Sequence, residues 1–269
     1  MAREGEGKTA LVTGASSGIG KAFAELLAAK GYGVVLTARR RERLDELAGH
    51  LKATHGVPAH VIVDDLAEPG APGRIAEAVG ALGLGIDVLV NNAGYGVPGS
   101  YLNVAWSDHQ RFIQIMMTAV CDLTYRLLPG MQERGWGRVI NIASVAGMVP
   151  APAGHTLYGA SKAFVIRFSE ALNAEHARQG VHVTAVCPGF TYSEFHDVTG
   201  TREQMKSVPA MMWLSADGVA REGYEAVMRG DAVVVNGRIY RLLLWLIGIV
   251  PTGMVKAVSH AAGRRYRKT

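Results

Sequence analysis

Two side chains one helical turn apart carry the chemistry that this sequence could do. Tyr158 and Lys162 stand four residues apart in YGASK, and Ser144 lies fourteen residues before the tyrosine. Residues at that spacing project from one face of a helix, so a helix opening near Tyr158 sets phenol and ammonium side by side. Alone, neither group is a useful acid at neutral pH, because a phenol titrates near ~10 and a lysine near ~10.4. A neighbouring ammonium favours the phenolate, so the pair predicts a Tyr158 pKa drawn down to where it gives and takes protons. A serine hydroxyl reaching the same spot would hold a carbonyl oxygen while the tyrosine protonates it. Such a site reduces a ketone or oxidises an alcohol, provided something else supplies the hydride. A lone Tyr-x-x-x-Lys pair is common in helices; its neighbours must carry the reading.

The hydride carrier needs a cradle, and TGASSGIG, residues 13 to 20, has the form of one. It lies between a strand over Thr9 to Thr13 and a helix over Ile19 to Lys30. Gly14 lets the chain turn, Gly18 lets the backbone approach a pyrophosphate, and Gly20 lets the helix pack on the strand. The helix N-terminus then offers unpaired N–H groups and partial positive charge to phosphate. Ser16, Ser17 and Ile19 join the three glycines as cofactor-binding candidates. The second strand, Val34 to Ala38, runs into Arg39, Arg40 and Arg41 rather than into a carboxylate. A guanidinium welcomes a 2′-phosphate, so Arg39 points to NADP(H) over NAD, while Arg41 is expected merely to start the next helix.

Arg41 to His55 reads as an amphipathic helix, and Val61 to Val63, Val88 to Val90, Val139 to Ile142, Val181 to Val186 and Ala232 to Val235 as further strands. This alternation predicts an α/β fold, a doubly wound parallel sheet of Rossmann-like kind with helices on both faces. The 269 residues, 49% apolar and without linker or repeat, suit a single domain with a large core. Two cysteines, Cys121 and Cys187, argue against a disulfide scaffold and suit a reducing compartment. The first residues lack the apolar run of a signal peptide, so a cytoplasmic location is expected. A net charge of +5 with no basic run among aromatics argues against nucleic-acid binding. Scattered histidines give no metal-ligand spacing, and no metal site is expected.

With the glycine turn and the Tyr–Lys pair both present, the chain resembles the short-chain dehydrogenase/reductase family from about Lys8 to Gly237. Its marks are TGASSGIG, Asp65-Leu66, NNAG at 91 to 94, NIAS at 141 to 144, YGASK, and PGFT at 188 to 191. The resemblance implies strand order 3-2-1-4-5-6-7, a homodimer or homotetramer, and a small hydrophobic carbonyl or alcohol as substrate. It implies Ser144, Tyr158 and Lys162 as the catalytic set, with Tyr158 and Lys162 also touching the cofactor. Asp65 and Leu66 would border the adenine, and Asn92, Ala93 and Gly94 the adenosine ribose side. Pro188, Gly189 and Thr191 would shape the nicotinamide pocket. The loop from Ser144 to Tyr158 is one residue longer than is usual in the family.

A second departure bears on the chemistry. Where the family usually carries an asparagine that helps hold a proton-relaying water, this chain has Met116. A thioether cannot donate, so a nucleotide-binding sensor or scaffold is the rival to a working enzyme. The catalytic domain is expected over 8–237, with a variable substrate lid at about 192–230. Met205, Val208, Met211, Met212, Trp213 and Leu214 there suit an apolar substrate or else ordinary core. His155 could face the same pocket or solvent. The segment 238–269 is apolar and then basic; its run Leu242 to Val250 is too short to span a bilayer, which takes ~20 residues. Packing on the lid or a neighbouring subunit is the expected role, and peripheral membrane contact the alternative.

Overall fold

A computed structural model describes residues 3–97, 99–151, 156–192 and 208–249. The seven strands are β1 Thr9–Thr13, β2 Gly33–Ala38, β3 Ala59–Val63, β4 Val88–Asn91, β5 Gly137–Ile142, β6 Val181–Cys187 and β7 Val233–Val235. They form one sheet in the order β3-β2-β1-β4-β5-β6-β7, with every neighbouring pair parallel. This is the Rossmann-like single domain that the alternation and the resemblance imply. Several strands start a residue or two earlier than expected, because Gly33, Ala59 and Gly137 are small residues that still pair in register.

The sheet is buried on both faces, which is why its strands read as continuous apolar runs. Helices α1 Gly18–Ala29, α2 Arg41–His55 and α7 Ala216–Arg229 close one face through Phe23, Leu27, Leu44, Leu51 and Val227. On the other face lie α3 Ala71–Ala81, α4 Trp106–Ile113, α5 Ala119–Glu133 and α6 Thr156–His176, packed through Ile75, Phe112 and Leu123. A final helix, α8 Arg238–Ile249, leaves the carboxyl end of β7 and runs through Gly248. The strand order reverses between β1 and β4, so the connections after them lead to opposite faces and leave a crevice at their carboxyl ends, the place where open α/β sheets bind ligands. No helix of the described residues is long and apolar enough to cross a membrane.

Candidate active site

At the carboxyl end of β1 the glycine turn has no room for side chains. Gly14 and Gly18 adopt φ of +64° and +55°, a region that favours glycine. A Cβ on Gly20 would lie 2.4 Å from the Gly14 carbonyl oxygen, so the third glycine is fixed by close packing of α1 on the turn. Asn92 braces the turn: its Nδ2 donates to the Thr13 and Gly14 carbonyls at 2.9 and 3.3 Å. The Asn92 and Ala93 N–H groups both donate to Thr13 Oγ1. Thr13 thus ties β1 to the end of β4, a role its position in the motif did not announce. Ser17 precedes α1 without a side-chain cap, and no acidic residue occupies the first turn. Uncapped N–H groups at a bare, positive helix end fit a pyrophosphate.

The end of β2 adds one residue to those expected. Arg40, not Arg39, reaches the turn, its Nη2 donating to Ser16 Oγ at 3.0 Å and Ser17 Oγ at 3.2 Å. Arg39 points to Asp65, with Nη1 and Oδ2 3.9 Å apart, and is largely exposed. Arg41 is the first residue of α2, as expected. Sequence reasoning did not single out Arg40, because the direction of a side chain between a strand end and a helix start is set by the backbone around it. Asp65 also binds Arg111 at 3.2 Å, and Leu66 is buried beside it.

Tyr158 and Lys162 lie in the first two turns of α6. Lys162 is buried, its Nζ donates to the Ile142 carbonyl at 2.7 Å, and it stands 5.8 Å from the centre of the Tyr158 ring. Ser144 follows β5; its Oγ accepts from Ala146 N at 3.1 Å and is 3.4 Å from the Pro188 carbonyl. The expected depression of the Tyr158 pKa is not found. Burial pushes this phenol above its ordinary value, and a hydrogen bond with Ser144 only partly opposes that. Burial falls on the lysine too, lowering Lys162 from 10.5 to about 8. The reason is distance and partner: the ammonium is held by the Ile142 carbonyl rather than by the phenol oxygen. A tyrosine held protonated is poised to give a proton rather than to take one.

Two features that sequence reasoning did not single out bring these residues together. Gly147 presses on α6, where a Cβ would lie 2.6 Å from the Lys162 carbonyl carbon, so the turn after Ser144 can approach Tyr158. Beneath them runs a buried polar network: Asn91 Nδ2 donates to Asn141 Oδ1 at 2.8 Å and to Thr124 Oγ1 at 3.2 Å. Asn141 Nδ2 in turn donates to Ser169 Oγ on α6 at 2.9 Å. Asn91 and Asn141 are directly opposed on β4 and β5. A satisfied network in the low-dielectric interior sets α6 against the sheet in one register, and with it Tyr158 and Lys162.

The sequence model of a family described as short chain dehydrogenase matches residues 8–204. The chain belongs to the short-chain dehydrogenase/reductase family. It is 42% identical to the very-long-chain 3-oxoacyl-CoA reductase of Anas platyrhynchos, over 98% of this chain and 82% of that protein. To the human very-long-chain 3-oxoacyl-CoA reductase it is 40% identical over 69% of this chain and 60% of that protein, so the match spans well under two thirds of the human relative. A solved short-chain dehydrogenase from Sphingobium yanoikuyae in complex with NADPH superposes with a TM-score of 0.79, at 30% identity, over 91% of this chain and 96% of that one. As a short-chain dehydrogenase/reductase, the protein is an oxidoreductase.

Two parts of this short-chain dehydrogenase/reductase depart from the simplest pattern. At Met116 the helix between β4 and β5 widens into one turn of π-helix, Gln114–Thr118, joining α4 to α5. Met116 is buried there against Gly94, where a Cβ would stand 2.9 Å from its sulfur, so Gly94 makes room for the methionine. After β6, Thr191 is buried and bridges to Leu214, and Tyr192 stacks on Trp213 at 4.7 Å. Gly189 has no space for a Cβ, which would fall 1.9 Å from the Tyr240 ring. Met212, Trp213 and Leu214 are half-buried and Met211 is exposed, while His155 and Met205 lie outside the described residues. Among the described residues no cluster of histidine, cysteine or carboxylate side chains could hold a metal ion.

Proposed function

We propose that this oxidoreductase uses NADPH to reduce the 3-oxo group of an acyl thioester bearing a long apolar chain. The observation that carries the reading is the convergence of Ser144, Tyr158 and Lys162 beside a turn whose helix end and Arg40 suit a phosphorylated dinucleotide. The two relatives named above, both 3-oxoacyl-CoA reductases, support the substrate class. The NADPH of the Sphingobium structure supports the cofactor. NADPH bound in that cradle would supply the hydride to the carbonyl carbon and be left as NADP⁺. Tyr158 gives its phenolic proton to the carbonyl oxygen as the C=O π pair moves there, yielding the 3-hydroxy product. Ser144 Oγ holds that oxygen. Lys162 has three donors, of which Ile142 takes one, leaving others for the nicotinamide ribose hydroxyls. Asp65, Leu66, Asn92, Ala93 and Gly94 flank the adenosine half, and Pro188, Gly189 and Thr191 flank the nicotinamide. Phe190, Tyr192 and Trp213 form an aromatic group next to Thr191 that suits an alkyl chain.

Loss of NADPH absorbance with 3-oxoacyl-CoA substrates of increasing length tests the reading. Each methylene buried is worth about 0.8 kcal/mol, so kcat/KM should climb roughly fourfold per carbon until the groove is full. A simple short ketone turned over faster than every 3-oxoacyl thioester would overturn the substrate class. No turnover of any ketone would favour the sensor reading that Met116 motivates. Cofactor choice has its own check. A charge-assisted bond to the 2′-phosphate is worth about 1.5–3 kcal/mol, so Arg40→Ala should cut the NADPH-over-NADH preference at least about tenfold. Arg39→Ala should act in the same direction. Dissociation constants whose ratio stays the same in both variants would remove the arginines from cofactor choice.

A further inference from the structure

Helix α8 is tied to the body by Tyr240, which is buried. Beyond it, Leu244 and Ile247 are half-buried, while Leu242, Trp245, Leu246 and Ile249 are 56%, 63%, 40% and 64% exposed in the single chain. They recur at i, i+3, i+4 and i+7 and so form one stripe along the helix. Scattered apolar side chains are normal on a surface, but a contiguous row of four marks a contact. Exposed Tyr101, Leu102 and Trp106 after β4, and Tyr192 and Met211 after β6, also issue from the carboxyl edge of the sheet.

Charge says what the stripe meets. Residues 238–269 carry seven lysines and arginines and no aspartate or glutamate. The whole chain is +5, so taking away this segment's +7 leaves −2 on residues 1–237. The positive charge is therefore concentrated in the segment of sequence that contains the apolar stripe rather than spread along the chain. Pairing the stripe with its copy about a two-fold axis would bring two +7 segments together, which Coulomb repulsion opposes. An exposed apolar stripe that includes a tryptophan, in a segment rich in cations, is what an anionic lipid surface accepts.

We propose that α8 is an interfacial helix that docks the protein on anionic membranes, the Leu242–Ile249 stripe entering the headgroup boundary and the basic residues contacting lipid phosphates. The docked helix is joined rigidly to the candidate site. The Tyr240 hydroxyl accepts from Phe190 N at 2.9 Å and donates to the Met212 carbonyl at 2.8 Å, while its ring fills the space over Gly189. One side chain thus connects the membrane helix to the loop after β6 and to the residues that would cover the substrate. On the reading given under Proposed function, an acyl chain could then enter from the lipid without crossing water.

Flotation of the full chain with vesicles tests the docking without reference to turnover. The protein should float with vesicles containing about one third phosphatidylglycerol, stay down with pure phosphatidylcholine, and be released by high salt, since surface charges are screened within ~10 Å at 0.1 M. Leu242→Glu with Trp245→Glu should lower the bound fraction at least about tenfold, because two large apolar side chains no longer enter the boundary. Both positions are exposed, so thermal melting of the variant should match the parent; a second variant, Leu246→Ser, loses less binding and confirms the order. Failure to float with anionic vesicles, or flotation untouched by the double variant, overturns the proposal. So does a variant that instead splits a dimer in sedimentation, which would assign the stripe to a second copy.

Discussion

Tyr158→Phe lowers turnover by roughly 10²-fold or more, the usual scale for a positioned general acid, while leaving dinucleotide affinity nearly unchanged. The ring packs against the core on the α4–α6 side and survives the substitution, so the fold and the cradle are undisturbed. The substitution removes the proton and the hydrogen bond with Ser144. Because burial raises the phenol's pKa, the parent should keep the acid in its protonated form across the neutral range. Reduction rates should therefore show no ionisation of Tyr158 as a falling limb below pH ~10, the ordinary phenol value. Near-normal turnover in the phenylalanine variant would take Tyr158 out of the chemistry.

The second large effect runs in two directions at once. Lys162→Met should depress kcat/KM by about 10²-fold or more, yet make the cofactor-free protein more stable at pH 7. The sign follows from the lowered pKa, about 8 in the fold against 10.5 as its ordinary value. Below pH ~8 the native state holds a buried ammonium that the unfolded chain would solvate, and this opposes folding. Between about 8 and 10.5 the unfolded chain binds the extra proton, so the parent gains stability as pH rises through that window. A displacement of that size costs a few kcal/mol (about 1.4 kcal/mol for each pH unit), from which the orphaned Ile142 carbonyl subtracts about 1–3 kcal/mol. Thermal melts should show the methionine variant ahead at pH 7 and the gap closing by pH 10. A variant less stable than the parent at pH 7, with a gap indifferent to pH, would mean that the lysine bears no such strain. The functional reading gives the cost a purpose: a binding site stores strain that its ligand relieves.

Sequence alone was enough for the sheet, its parallel sense and the glycine turn. These depend on short-range rules: apolar runs buried on both faces, helices between them, and glycines at the turn after β1. The pairing of Tyr158 with Lys162 was equally legible, since four residues on a helix share a face whatever surrounds them. What the tertiary structure decided are the quantities set by neighbours far along the chain. Arg40 rather than Arg39 meets Ser16 and Ser17, because the direction of a side chain at a strand end depends on how β2 lies beside β1. The Tyr158 pKa rises instead of falling, because burial outweighs its hydrogen bond with Ser144, while the Lys162 ammonium is turned to the Ile142 carbonyl, twenty residues earlier. The Asn91–Asn141–Ser169 network and the close approach of Gly147 to α6 join residues that no local pattern links. The apolar run after Arg241 shows the same limit. Composition predicts a packed segment, but burial needs a partner surface: Tyr240 at its root finds one against Gly189 and Phe190, whereas Leu242, Trp245, Leu246 and Ile249 stay exposed.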